Sequence, residues 1–295
     1  MTEPNDTRII PFVRMLDDAA VFPPGRAPLS QAVADHVAHR DVPAADLIGP
    51  LVLPLELVAE ADRLAGEAPL EVSVVTPAGA LDSVAATIVG LAGGSTRVVA
   101  VELKVAVAEP DDVLSELDAA KSFAASRPDL RIWVELPAAL VVEEVLGAIR
   151  GAGFGLKFRT GGLDRKLFPT PEELIDVLAR AVRAGVPFKL TAGLHRALRY
   201  HNPKTGFDHF GFLNIAAATH ALRRGVDRAE AATLLNSDDP ASLVAELGFP
   251  DAAPGWREAF TSFGTCSVGE PVATLNAVGV LPDGLLEGLD TELRN

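Results

Sequence analysis

Cysteine is nearly missing from this chain: Cys266 is the only one in 295 residues. That excludes an internal disulfide and any metal or iron–sulfur site built on several thiolates. It leaves Cys266, inside "SFGTCSVGEP", to be read as a small buried hydrophobe. Positive charge is scarce as well. Lysine and arginine total 26 against 40 acidic residues, a net charge of −14, so nucleic acid and anionic membranes are not expected as partners. No stretch approaches the roughly 18 uninterrupted apolar residues of a membrane helix. The opening "MTEPNDTRIIPFVRMLDD" is polar and interrupted, unlike a leader, so the expected location is cytoplasmic. With 48% hydrophobic residues the chain has enough apolar side chains for a large core.

Lysine is the rarer cation, at six positions: Lys104, Lys121, Lys157, Lys166, Lys189 and Lys204. Three of the six lie inside apolar runs that read as strands: Lys104 in "RVVAVELKV", Lys157 in "FGLKFRT" and Lys189 in "VPFKLTA". Further runs of the same kind are "GPLVLPL", "LEVSVVTP" and "RIWVELP". Segments of helical periodicity separate them, and two open on clear start signals, Pro110-Asp111-Asp112 and Thr170-Pro171-Glu172-Glu173. Repeated strand–helix units predict a parallel sheet covered by helices. The pattern favours one irregular (β/α)8 TIM-type barrel over residues 1–295, with a doubly wound parallel sheet as the alternative. Residues 1–27 read as an irregular N-terminal segment, and about 197–247 as a mostly helical insertion. "GLAGGSTR" precedes a strand where a dinucleotide-binding loop would follow one, which disfavours a Rossmann domain.

Side chains two apart in a strand share a face. Glu102 then lies with Lys104, Trp133 with Glu135, Lys157 with Arg159, and Lys189 with Thr191. The opposite faces read Val99, Val101, Leu103, Ile132, Val134, Leu156, Phe158, Phe188 and Leu190, all apolar and helix-facing. Four consecutive strands therefore send ionisable groups toward one interior. Four cations against Glu102 and Glu135 leave an excess of two positive charges, which suits a small anionic ligand such as a phosphate or carboxylate. A buried lattice of ion pairs is the competing explanation, against which stands the cost of desolvating each charge. The turns after two of these strands, "RTGG" and "TAGL", offer Thr160, Gly161, Gly162, Thr191 and Gly193 as hydroxyl and backbone donors to such an anion.

Lysines on successive late strands, each followed by a Thr–Gly turn, resemble class I aldolases of the deoxyribose-phosphate aldolase type, with their "KTSTG" and "KxxGG" segments. The similarity covers roughly 40 residues and departs from the family at Arg159 and Leu194. It implies a cofactor-independent lyase in which Lys157 is the Schiff-base lysine, Lys189 the second lysine, and Gly161, Gly162 and Gly193 the anion cradle. Glu102 or Glu135 stands in for the family's acid. The wider chain, including "DDAAVFPPG", "TAGLH" and "GFLN", resembles bacterial proteins with no activity attached. Chemically, a lysine amine becomes a nucleophile near neutral pH only where burial or a neighbouring cation lowers its pKa.

Two other expectations compete. His195, His201 and His209 lie within 14 residues and, with a glutamate, form a candidate metal site for a hydrolase or lyase, although their spacing matches no compact ligand motif and "LVLPL" carries no ligand. No metal or cofactor is assigned. His195 reads more readily as a general acid/base at the barrel mouth, and 199–211 as a lid. The remaining alternative is an anion-binding barrel without turnover. Asp17 and Asp18 read as turn caps or as the missing acid, and Glu270 as a strand-end carboxylate or a helix-start residue. His36, His39 and His220 read as surface or packing residues, and homo-oligomer formation stays open.

Overall fold

Eight short strands lie side by side, all parallel, and the last pairs with the first. The strands are β1 (Leu16–Asp18), β2 (Ile48–Pro54), β3 (Leu70–Pro77), β4 (Thr96–Lys104), β5 (Arg131–Glu135), β6 (Gly155–Arg159), β7 (Phe188–Thr191) and, after a two-stranded hairpin of β8 (Tyr200–Asn202) and β9 (Phe207–His209), β10 (Phe260–Thr265). This computed structural model describes residues 7–203, 205–249 and 254–291. Because β1 pairs with β2 on one side and with β10 on the other, no sheet edge remains and the doubly wound alternative is excluded. The barrel is the α/β TIM type.

Helices α1 (Leu29–Ala38), α2 (Val58–Ala65), α3 (Leu81–Gly90), α4 (Pro110–Ala125), α5 (Glu143–Gly151) and α6 (Pro171–Ala184) follow the first six strands in turn. Three helices fill the return from β7 to β10: α7 (Phe212–Arg223), α8 (Arg228–Leu235) and α9 (Pro240–Leu247), and α10 (Gly269–Ala277) comes last. The start signals read from sequence do what their chemistry predicts. Pro110 opens α4, while Thr170 and Glu173 form a reciprocal capping box on α6, whose C-terminus closes on left-handed Gly185. No helix among the described residues is long and apolar enough to cross a membrane.

Strand parity is as expected at eight of the nine outward positions read from sequence: Val101, Leu103, Ile132, Val134, Leu156, Phe158, Phe188 and Leu190 are all buried against the helices. Val99 is the exception. The β3–β4 register slips between Val72 and Ser73, so Val98 enters the core and Val99 is only half-buried. The N-terminal segment also needs correction: inside 1–27 lies β1, which closes the barrel, and its three residues are too few to display an alternation. The stretch 197–247 begins with the β8–β9 hairpin before it turns helical, and its first helix, α7, is deeply buried.

Below the charged layer the barrel is plugged by Trp133. Its ring occupies the space where Gly155, its register partner on β6, would carry a side chain. Gly49 on β2 similarly leaves room for the Asp17 carboxylate. A methyl at Gly155 must therefore displace the indole, and Gly155→Ala is expected to destabilise the fold by about 1–3 kcal/mol. Urea unfolding would measure it, and an unchanged midpoint would mean that the indole does not fill this site.

Candidate active site at the barrel mouth

The interior charges form a chain of alternating sign. Asp17 Oδ2 lies 2.6 Å from Lys189 Nζ, which lies 2.5 Å from Glu102 Oε1. The other oxygen of Glu102 is 2.7 Å from Lys157 Nζ, which is also 2.7 Å from Glu135 Oε2, and Arg159 Nη1 follows at 3.8 Å from Glu135 Oε1. Lys157 and Lys189 are register partners on β6 and β7, so their Cα atoms stand side by side. Two hydroxyls complete the set: Ser73 donates to Glu102 Oε1 at 2.7 Å and Ser262 to Asp17 Oδ2 at 2.8 Å. Asp17, Glu102, Lys157 and Lys189 are almost fully buried.

This arrangement corrects the expected charge balance. Asp17, on the strand that sequence reading missed, brings a third carboxylate, so the chain from Asp17 to Arg159 is neutral. The remaining cation, Lys104, is exposed at the end of β4. Burial by itself favours the neutral forms of these groups, and the pairing overrides it unequally. Burial would push Glu102 up, but Lys157 and Lys189 outweigh it and hold the carboxyl well below the usual range. Burial would likewise push Lys189 down, but Asp17 and Glu102 outweigh it and raise it further, so Lys189 stays an ammonium. For Asp17 burial wins over the pull of Lys189, and its pKa is raised.

Above the chain opens a cavity of about 550 Å³, walled by the loops that follow β1, β6, β7 and β10 at the C-terminal mouth of the barrel. Lys104, Lys157, Arg159 and Lys189 all line it, and among the described residues Glu102 is the one carboxylate that does; Asp17 and Glu135 hold the lysines without facing the cavity. The expectation of a cation-lined pocket thus survives the neutral count.

The two turns divide in role. Thr191, Gly162 and Gly193 line the cavity, whereas Thr160 and Gly161 do not. The Thr160 hydroxyl donates to the Ala192 carbonyl at 2.6 Å. Gly161 and left-handed Gly193 pack backbone against backbone, so that a side chain at either would crowd the facing turn, and at Gly193 the positive φ adds strain. Those glycines chiefly dock one turn on the other.

The hairpin β8–β9 forms one wall, with Tyr200 stacked on His209 at 4.8 Å and Phe168, from the loop after β6, against Phe207 at 4.6 Å. His195 and His209 line the cavity, while the exposed His201 turns away to pair with Asp208 at 2.9 Å. The three histidines therefore do not converge, and no group of three potential ligands among the described residues could hold a metal. Burial pushes His209 down, and its Nδ1 lies 3.0 Å from the Gly193 carbonyl, which fixes the neutral ring with the proton on Nδ1.

Glu270 is a helix-start residue, in the first turn of α10, fully buried 3.6 Å from His195 Nδ1 and 3.4 Å from Arg196 Nε. Cys266 is buried as expected, but beside His195 at 3.8 Å and on the cavity wall. Asp18 points outward to His36 at 2.9 Å, so of the two roles read for His36, surface or packing, it is packing that holds. Lys204 lies outside the described residues.

No protein-family model matches this chain, and no curated protein matches it either. The opposed shifts in the ion-pair chain are directly measurable. Glu102 contributes stability that is complete above its ordinary 4.5 and lost only far below it; Asp17 acts in the opposite sense, losing its contribution as pH rises from 3.8 through its raised value. In carboxyl-carbon NMR titrations Asp17 should therefore protonate above 3.8 while Glu102 stays ionised well below 4.5. Glu102 titrating at its ordinary value would contradict a carboxylate bridging two ammoniums.

Proposed function

We propose that this chain is a cofactor-independent lyase of the class I aldolase type, in which Lys157 forms a Schiff base with the carbonyl of a small anionic substrate. The observation that carries it is the unequal treatment of two lysines side by side on the floor of one open cavity. Lys189, held as an ammonium between Asp17 and Glu102, is disqualified as a nucleophile and acts as a fixed positive charge. Lys157 lies between Glu102 and Glu135, and Glu135, less buried than Asp17 or Glu102, also faces the Arg159 guanidinium at 3.8 Å. Glu135 is thus the natural acceptor for the proton that the Lys157 amine loses before it attacks.

The steps balance without a further reactant. The amine adds to the carbonyl carbon, and the carbinolamine loses water to give an iminium. The iminium draws in the electron pair of the adjacent carbon–carbon bond as that bond breaks and the β-hydroxyl gives up its proton. The second carbonyl product departs, the enamine takes a proton on carbon, and water releases the first product and restores the amine. Lys104 and Arg159 at the rim, with Thr191, Gly162 and Gly193, receive the anionic group. His195, on the cavity wall beside the buried Glu270, serves as a further proton donor or acceptor.

One observation favours a second reading: the ion-pair chain is complete from Asp17 to Arg159, as a barrel that binds an anion without turnover would need. Reactivity separates the two. Pyridoxal phosphate, an anionic aldehyde, followed by borohydride and peptide mapping, should modify Lys157, with inorganic phosphate suppressing the label and Lys157→Met abolishing it. Lys189→Met should lower labelling at Lys157 at least tenfold, with circular dichroism confirming the fold. Label confined to exposed lysines such as Lys121 and Lys166 would favour the non-catalytic barrel.

A further inference from the structure

The charged groups at the level of the cavity occupy one side of the barrel, Asp17 of β1 lying buried behind Lys189 without facing the cavity. Glu102, Lys104, Glu135, Lys157, Arg159 and Lys189 come from β4 to β7. At the level of Glu102 the other side presents Val75, its register partner on β3, and Val52 on β2. Val52 and Val75, with Ala19 and the partly buried Phe22, form a small apolar cluster separate from the main core. It is separate because it faces the cavity from inside the barrel, while the main core lies between strands and helices. Across the cavity stand Leu167 and Phe168 from the loop after β6, and Phe207 from the hairpin. The nearest hydroxyl on β3's inner face, that of Ser73, is committed to Glu102.

From this two-sided lining we infer that the substrate is a 2-oxo acid whose body is hydrocarbon apart from the one β-hydroxyl that cleavage requires, not a polyhydroxylated sugar phosphate. The inference rests on the Schiff-base proposal for the placing of the carbonyl, and on the apolar wall for the rest. Arg159 is two residues beyond Lys157 on the same face, roughly 7 Å along the strand, within the reach of an arginine side chain to a carboxylate bonded to the reacting carbonyl. The chain beyond that carbonyl then lies against Val52, Val75 and Phe22. Sugar hydroxyls in the same place would lose their hydrogen bonds to water and gain none. The volume points the same way, since about 550 Å³ lies in the range that encloses drug-sized ligands, far larger than a three-carbon fragment.

The test uses straight-chain 2-oxo acids of three to eight carbons, with glyceraldehyde 3-phosphate and inorganic phosphate as polar comparators, and two readouts. Calorimetry on the unmodified protein should show Kd falling about fourfold per added methylene, the factor equivalent to about 0.8 kcal/mol per buried CH₂. The shape-conserving Val75→Thr, and independently Val52→Thr, should flatten that trend, with melting curves to confirm folding. Borohydride trapping with the eight-carbon acid should then place the adduct on Lys157. A chain-length trend without trapping would uphold the apolar substrate class and overturn the Schiff-base proposal. Trapping of the phosphorylated aldehyde with no chain-length trend would overturn the substrate class and leave the Schiff base standing. Absence of both would overturn both.

Discussion

Two ammonium groups placed side by side inside a barrel must share a counter-charge, and Glu102 supplies it. One oxygen meets Lys189 and the other Lys157, and Ser73 adds a hydrogen bond to the oxygen on the Lys189 side. Much of the interior follows from that bridge. Because Glu102 cannot neutralise both lysines alone, each has a second carboxylate, Asp17 from β1 or Glu135 from β5. Those partners come from opposite directions around the barrel, so the chain of pairs spans it from β1 to β6. Below it Trp133 closes the floor, its ring centroid 5.9 Å from Lys189 Nζ, and Gly155 exists to make room for the indole.

A buried lattice of this kind is a poor way to gain stability, since apolar residues of similar volume usually do as well. Its asymmetry is what suits it to chemistry. Asp17 and Glu135 stand back from the cavity while the lysines line it, so a ligand meets cations whose counter-charges are already in place. The same feature reconciles a neutral interior and a strongly acidic chain with the anion site proposed above.

What was legible from sequence followed from fixed geometry. A strand has period two, so the pairing of Glu102 with Lys104, and of Lys157 with Arg159, could be read from spacing once each strand was recognised, as could the capping box at Thr170. What was not legible depended on context. Three residues of β1 are too short to reveal parity, so Asp17 and Asp18 could not be told apart, although one faces Lys189 and the other His36. The bulge at Val99 shifts parity with no residue to announce it. Spacing does not single out Val52 and Val75, because strands of a parallel barrel are apolar on both faces, and only closure shows which valines face a cavity. The distant pairings Cys266–His195 and His195–Glu270 join residues on different elements, which strand spacing alone does not predict.

The central claim is that Lys157 leaves the ion-pair chain to react while Lys189 keeps its place in it. A crystal structure of the borohydride-reduced adduct tests it most directly. The account predicts continuous density from Lys157 Nζ into the ligand, with Lys189 still between Asp17 and Glu102. An adduct on Lys189, with Lys157 still held between Glu102 and Glu135, would contradict it.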